Sequence, residues 1–287
     1  MHPEEISLKW LGAAGFEVRF RNRLVLVDPF LSRPADSIPR IAVTPQDYRK
    51  FDLLVASHGH FDHFMDVPYL AVTVDAPVYV PQAAKKDIRD EWRRQHPSAR
   101  AGNPDQWRAL EDTDHIKLDD LTVTPIRSFH EVFDVPTVAE AAGRIFSKRP
   151  LWDSIKRGLK AVSTHPYGNT HLLHFDWGSR GTRMMFVGSL ARHVYGLTAE
   201  NGRVDVLALP YCPANRQWMK ETERLIRRFQ PRAILVHHFD KFYPPIIGDM
   251  NMVTWKREIQ SMFPGIPIKV PQLLKPFTLE DVQGEQK

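Results

Sequence analysis

The chain has 287 residues, 43% of them hydrophobic, enough for one extended α/β domain or two small ones. Lys and Arg outnumber Asp and Glu by 39 to 34, a net charge of +5 with no long basic run, which admits an anionic small molecule and argues against nucleic acid. The single cysteine, Cys212, excludes an internal disulfide and any cysteine-built zinc cluster, so a metal here has to be held by nitrogen and oxygen.

Met1 to Glu5 carries no basic region followed by an apolar stretch, and no apolar run reaches the length of a membrane span. A cytoplasmic protein without a transmembrane segment is the expectation. Ile6 to Leu11 and Phe16 to Phe20 alternate as strands, separated by Gly12-Ala13-Ala14-Gly15. After a turn at Arg21-Asn22-Arg23, the apolar run Leu24 to Val27 ends at Asp28-Pro29. These segments predict an antiparallel meander that delivers Asp28 at its end. Thr44-Pro45-Gln46-Asp47 has the capping threonine, first-position proline and early acid of a helix start.

Leu53 to Ala56 reads as a buried strand, and it runs into Ser57-His58-Gly59-His60-Phe61-Asp62-His63. Four metal-ligating side chains fall in six positions there. Imidazole suits zinc and similar divalent ions, and an added carboxylate suits a hydrolytic site better than a structural one. A short helix is expected from about Asp62, and Pro77 to Pro81 is a further strand. Between 85 and 94, charges crowd a stretch with Ile88 and Trp92 four apart, the pattern of an amphipathic helix with a solvated face.

Leu121 to Ile126 predicts a strand that leads to His130. The stretch from Glu131 to Thr170 is irregular, and long loops near a metal centre commonly shape the substrate pocket. Strands return at His171 to Phe175, Met184 to Val187 (ending at Gly188-Ser189) and Val204 to Leu209. A helix over about Lys220 to Phe229 precedes the strand Ala233 to Val236, which ends at His237-His238. A last helix spans about Asn251 to Met262, with Val253, Ile259 and Phe263 expected in the core. His171 and His174, three apart in a strand, should face opposite sides. Asp28, His58, His130, Ser189 and the His237-His238 pair thus all stand at strand ends, which one rim of a sheet scaffold can gather.

These residues resemble the metallo-β-lactamase fold superfamily over nearly the whole chain. The motif histidine-any-histidine-any-aspartate-histidine is present as His58, His60, Asp62 and His63. Asp28, His130 and His238 match the remaining motif positions, with His237 a competitor for the last. The resemblance implies an α/β, four-layer αββα sandwich and one domain over 1–287, with a helical insertion near 82–110 and a lid near 131–170. It implies a metal-dependent hydrolase using a metal-bound hydroxide, with a first zinc on His58, His60 and His130 and a weaker second on Asp62, His63 and His238. Manganese and iron are alternatives.

Asp62 is either a ligand of the second metal or the base that orients the water, and Asp28 orients a ligand histidine. Where the family usually has a metal-bridging aspartate, this chain has Ser189. Trp10 to Phe16 and Val204 to Pro210 look more loosely like the branch with ascorbate-6-phosphate lactonase and N-acylphosphatidylethanolamine phospholipase. The expected substrate is a small carboxylic ester, lactone or amide; a lipid or nucleotide phosphodiester is the alternative, as is a metal-binding protein without turnover. A homo-oligomer is compatible with all three.

Overall fold

In the computed structural model, the structure is described for residues 5–95, 106–112, 114–130, 169–190, 202–211, 217–244 and 251–284. The alternating segments Ile6–Gly12 (β1) and Gly15–Phe20 (β2) pair antiparallel, and β2 pairs antiparallel with Arg23–Val27 (β3), which completes the meander. Leu53–Val55 (β4), Val78–Val80 (β5) and Trp107–Ala109 (β6) then add in parallel. Pro276–Thr278 (β14) closes the other edge against β1.

The second sheet also has seven strands. Ile116–Leu118 (β7), Leu121–Ser128 (β8), Thr170–Trp177 (β9) and Thr182–Val187 (β10) run antiparallel. Val206–Pro210 (β11), Ala233–His237 (β12) and Ile268–Lys269 (β13) follow in parallel.

Strand alternation sorts the side chains into layers. Val18, Val25, Val55, Phe175, Phe186 and Leu235 meet between the sheets. Leu26, Leu54 and Val78 face outward onto Val67–Thr73 (α2) and Lys85–Gln95 (α3). Leu207, Ile234 and Val236 face outward onto Trp218–Phe229 (α4) and Met252–Met262 (α5). Helix, sheet, sheet, helix is the expected four-layer sandwich, and each large apolar side chain buried in it contributes roughly 1.5–3 kcal/mol.

The differences from the sequence reading are local. Thr44 opens only a 3-10 turn over Pro45–Asp47. The segment read as a helical insertion carries β6 as well, so α3 is the crossover of a parallel β5–α3–β6 unit. Val253 is 80% exposed; Trp255 and Ile259, four apart on the opposite face of α5, are the buried residues. Leu279–Gln283 (α6) follows the helix expected to be last. Among the described residues, no helix is long and apolar enough to cross a membrane. Of the lid expected near 131–170, residues 131–168 lie outside the described residues, and Thr170 belongs to β9.

Candidate metal centre

Strands β3 and β4 are parallel in one sheet, and β10, β11 and β12 are parallel in the other, with β8 aligned to β10 through the antiparallel β9. Their C-terminal ends therefore share a rim. Asp28 leaves β3, Ser57 and His58 follow β4, His130 follows β8, Ser189 follows β10 and His238 follows β12. His60 precedes the short helix Phe61–Phe64 (α1), whose single turn carries Asp62 and His63.

Among the described residues, three groups each bring atoms able to hold a metal within 4.8 Å of one another: His58, His60 and His130; Asp62, His63 and His238; and Asp28, His58 and His63. His58 Nε2 stands 3.1 Å from His60 Nδ1. A tetrahedral zinc with Zn–N of ~2.0–2.1 Å separates its nitrogens by about 3.3–3.4 Å, so these two atoms are spaced for a shared ion. In the second group His238 Nε2 lies 3.0 Å, and His63 Nε2 3.8 Å, from Asp62 Oδ2.

Behind the ligands runs a chain of hydrogen bonds. Asp28 is fully buried, and its Oδ1 accepts from Ser57 N at 2.6 Å. Its Oδ2 accepts from Ser57 Oγ at 2.5 Å and from His63 Nδ1 at 2.7 Å. A carboxylate only accepts, so His63 Nδ1 carries a proton, which leaves Nε2, on the Asp62 side, as the atom available to a metal. Ser57 Oγ has spent its proton on Asp28 and is left to accept from His58 Nδ1, 3.0 Å away. His58 Nε2 is then free to ligate. Ser57, which the sequence gives no reason to single out, thus couples Asp28 to His58. With both oxygens engaged by Ser57 and His63, Asp28 backs the ligands.

Gly188 makes room for this arrangement. A β-carbon there would lie 2.2 Å from Ser57 Oγ and 2.9 Å from Ser57 Cβ. Because Asp28 pins Ser57, the clash cannot be relieved by a rotamer change. Gly188→Ala should cost about 1–3 kcal/mol, read as a lower denaturant midpoint at unchanged slope.

The electrostatics suit a cation. Burial, then the neighbouring His63, His130, His60 and His238, holds His58 neutral well below the usual histidine range. Burial and His130 lower His60 to about 3. Burial alone would raise Asp62, but His63 and the hydrogen bond from His238 hold its carboxyl well below the usual range. Both His58 and His60 are therefore unprotonated and ready to ligate at neutral pH.

A consequence appears in the metal-free protein. Unfolded histidines take up protons near pH ~6.5 while folded His58 and His60 do not. Their stability contribution is intact above that pH and is lost as the pH falls toward the folded values. The thermal midpoint of chelator-treated protein should fall steadily from pH 7 to pH 5, and bound metal should blunt the fall.

His237 and His238 separate cleanly. Alternation along β12 sends His237 between the sheets, stacked on Phe186 at 5.0 Å and edge-on to Phe16 at 5.8 Å. His238 turns out of the strand at φ +60° and joins Asp62 and His63. His171 is buried on the inter-sheet side, 3.4 Å from Asp112, while His174 lies on the other face of β9, paired in register with Met185. Tyr211 packs with Trp218 and Trp255 in the outer core rather than in a pocket. Ser189 is buried at the rim.

The donor chemistry fits one or two divalent ions. Comparison with known proteins agrees with it. The chain is 22% identical over 265 residues to a metal-dependent hydrolase of Pyrococcus furiosus, covering 91% of this chain and 97% of that one. Its fold is similar to that of a metallo hydrolase from Ignicoccus hospitalis, with TM-score 0.60 at 17% identity over 95% of this chain and 97% of that one. It is also similar to a diiron β-hydroxylase from Streptomyces venezuelae, with TM-score 0.54 at 14% identity over 96% of this chain and 54% of that one. The family model of the metallo-beta-lactamase superfamily matches residues 16–236, and with its two seven-stranded sheets and histidine-aspartate clusters the chain belongs to that superfamily, as a metal-dependent hydrolase.

Proposed function

We propose that this chain hydrolyses a small-molecule carboxylic ester, lactone or amide with zinc as its metal. The observation that carries the reading is the convergence of His58, His60 and His130, with His58 and His60 held neutral. In this reading these three hold the first ion. Asp62, His63 and His238 hold a second ion more weakly, because Ser189 presents a neutral hydroxyl where the family usually places a bridging carboxylate. Bound there, a divalent ion would supply a more acidic water, with its pKa brought from 15.7 to about 7, and a Lewis acid for the oxygen of the scissile bond. Manganese or iron suits the same nitrogen and oxygen donors.

The side chains supply orientation. Asp62, kept ionised, accepts a hydrogen bond from the attacking water and aims it. Ser57 and Asp28 fix the rings of His58 and His63, so that the lone pairs need no rearrangement when substrate enters.

The preference for a carboxylic substrate rests on the cations nearby. On the segments that carry the ligands, Arg33 is committed to Asp240 and Arg127 to Asp112. The anionic phosphoryl oxygens of a phosphodiester would want such groups unengaged. The looser likeness of Trp10 to Phe16 and Val204 to Pro210 to the lactonase and phospholipase branch, with the net charge of +5, supports the phosphodiester alternative and keeps it in the substrate search.

The test is turnover by zinc-loaded protein on a panel of esters, lactones and amides beside lipid and nucleotide phosphodiesters. Turnover of a carboxylic substrate, abolished by chelation and restored by zinc, is expected. Turnover of phosphodiesters alone would overturn the substrate assignment. Metal binding with no turnover on either arm would leave a metal-binding protein.

A further inference from the structure

We infer that the buried Arg33–Asp240 ion pair is a positioning device for His238, and that it sets the occupancy of the second metal site without touching a metal. The inference rests on the two-ion reading above and names the residues that decide the weaker ion.

The pair joins three loops that the chain brings together from far apart. Arg33 and Asp240 lie 207 positions apart, yet their side chains are 2% and 1% exposed and bonded to each other. The guanidinium also donates from Nε to Phe30 O at 3.1 Å and from its second terminal nitrogen to Leu11 O at 3.3 Å. One planar cation thereby ties the end of β1, the segment after β3 and the loop after β12. Lysine, a single ammonium, cannot match that fork.

The carboxylate side leads to the ligand. Both oxygens of Asp240 accept from Ala13 N, at 3.0 and 3.2 Å. Ala13 O in turn accepts from His238 N at 2.8 Å. His238 is thus held by its own main chain, in a left-handed conformation at φ +60° that a histidine does not adopt without support. Ala13 is itself left-handed at φ +42°. Two strained residues are therefore locked face to face by a buried charge pair.

A parallel contact path reinforces the link. The guanidinium sits 5.4 Å over the Phe30 ring, Phe30 meets Phe242 edge-on at 6.2 Å, and Phe242 meets the His238 ring edge-on at 4.8 Å. Gly12 shows how closely the site is fitted, since a β-carbon there would fall 2.1 Å from the guanidinium.

The geometry has a selective consequence. His58 is positioned by Ser57, and His130 by the end of β8; His60 precedes α1, whose Phe61 packs on Phe242 and Tyr243, so the first site meets the Asp240 loop through apolar contact but draws no ligand from it. The second site does, through His238. Where Ser189 supplies no bridging charge, a small displacement of one of three ligands should decide whether a second ion stays.

Cobalt(II) titration of wild type, Asp240→Asn and Arg33→Lys, followed by visible absorption and by metal content after gel filtration, tests this. Asp240→Asn keeps an acceptor for Ala13 N, and Arg33→Lys keeps the charge while losing the fork. Wild type should bind one cobalt tightly and a second in excess metal. Both variants should bind the first ion within about twofold of wild type, and the second at least about tenfold more weakly, in line with the 10–100-fold effect of removing a ligand's supporting partner. Uptake at the first site also shows that each variant is folded.

Unchanged second-site affinity in both variants would overturn the proposal. So would loss of both ions together, which marks a purely structural pair, or a wild type that takes only one ion under excess cobalt. Inactivity on every substrate with this binding pattern intact would count against the hydrolase reading alone.

Discussion

His58→Ala should abolish tight binding of the first metal and, with it, turnover. His58 is fully buried and belongs to two of the candidate clusters, with His60 and His130 on one side and with Asp28 and His63 on the other. Removing a partner behind a ligand typically costs roughly 10–100-fold in affinity or activity, so removing a ligand of a three-histidine set should exceed about 100-fold. Metal content after dialysis against a chelator is the direct reading, with kcat on whichever carboxylic substrate is turned over as the second. Circular dichroism and the denaturation midpoint will separate lost metal from lost structure. Retention of a tightly bound ion by His58→Ala would show that the first site lies elsewhere.

The second large effect belongs to Asp28→Asn. The side chain keeps its shape, but one oxygen becomes an NH2 group. Asp28 now accepts from Ser57 N, Ser57 Oγ and His63 Nδ1. Either orientation of the amide sets a donor against at least one of these donors. If the NH2 faces His63, the ring relieves the conflict by moving its proton to Nε2, which is the atom that has to ligate. Ser57 Oγ is forced to turn as well, and His58 Nδ1 loses its acceptor.

The variant should therefore remain folded and lose about 10–100-fold in metal affinity, at both sites rather than one. Competition against a chromophoric chelator measures this. A buried donor left unmatched also costs roughly 1–3 kcal/mol, so the denaturation midpoint should fall. Wild-type affinity in Asp28→Asn would reduce Asp28 to a turn residue at the end of β3.

The two variants also show why part of the site could be read from sequence and part could not. His58, His60, Asp62 and His63 were legible as a candidate cluster because they are local: a buried strand, a turn and one helical turn put them in a single run. Asp28, His130 and His238 were legible as polar residues ending apolar strands, since alternation and burial reveal a strand whatever it pairs with. The choice between His237 and His238 needed the second sheet. Strand parity buries His237 against Phe186 and Phe16, and only a left-handed residue at 238 turns the next ring outward.

Ser57 was invisible because its role depends on Gly188, which belongs to the other sheet. Arg33 was invisible for the same reason, its partner being the carboxylate at Asp240 across the molecule. The short edge strands β6, β7, β13 and β14, of two or three residues each, have too few positions to show a period, and they form because a sheet edge is already there to pair with. Val253 failed on period as well: one residue's shift along a helix turns a side chain by about 100°, enough to carry it from core to solvent.

The fold supplies the scaffold, and the side chains gathered on its rim supply the chemistry. The central claim is narrower: a metal held by His58, His60 and His130. Diffraction from crystals grown with zinc, recorded on both sides of the zinc absorption edge, tests it most directly. The account predicts a strong anomalous peak within bonding distance of His58 Nε2, His60 Nδ1 and an imidazole nitrogen of His130, with a weaker peak among Asp62, His63 and His238. No peak at the three histidines, or a stronger peak at the second group than at the first, would contradict it.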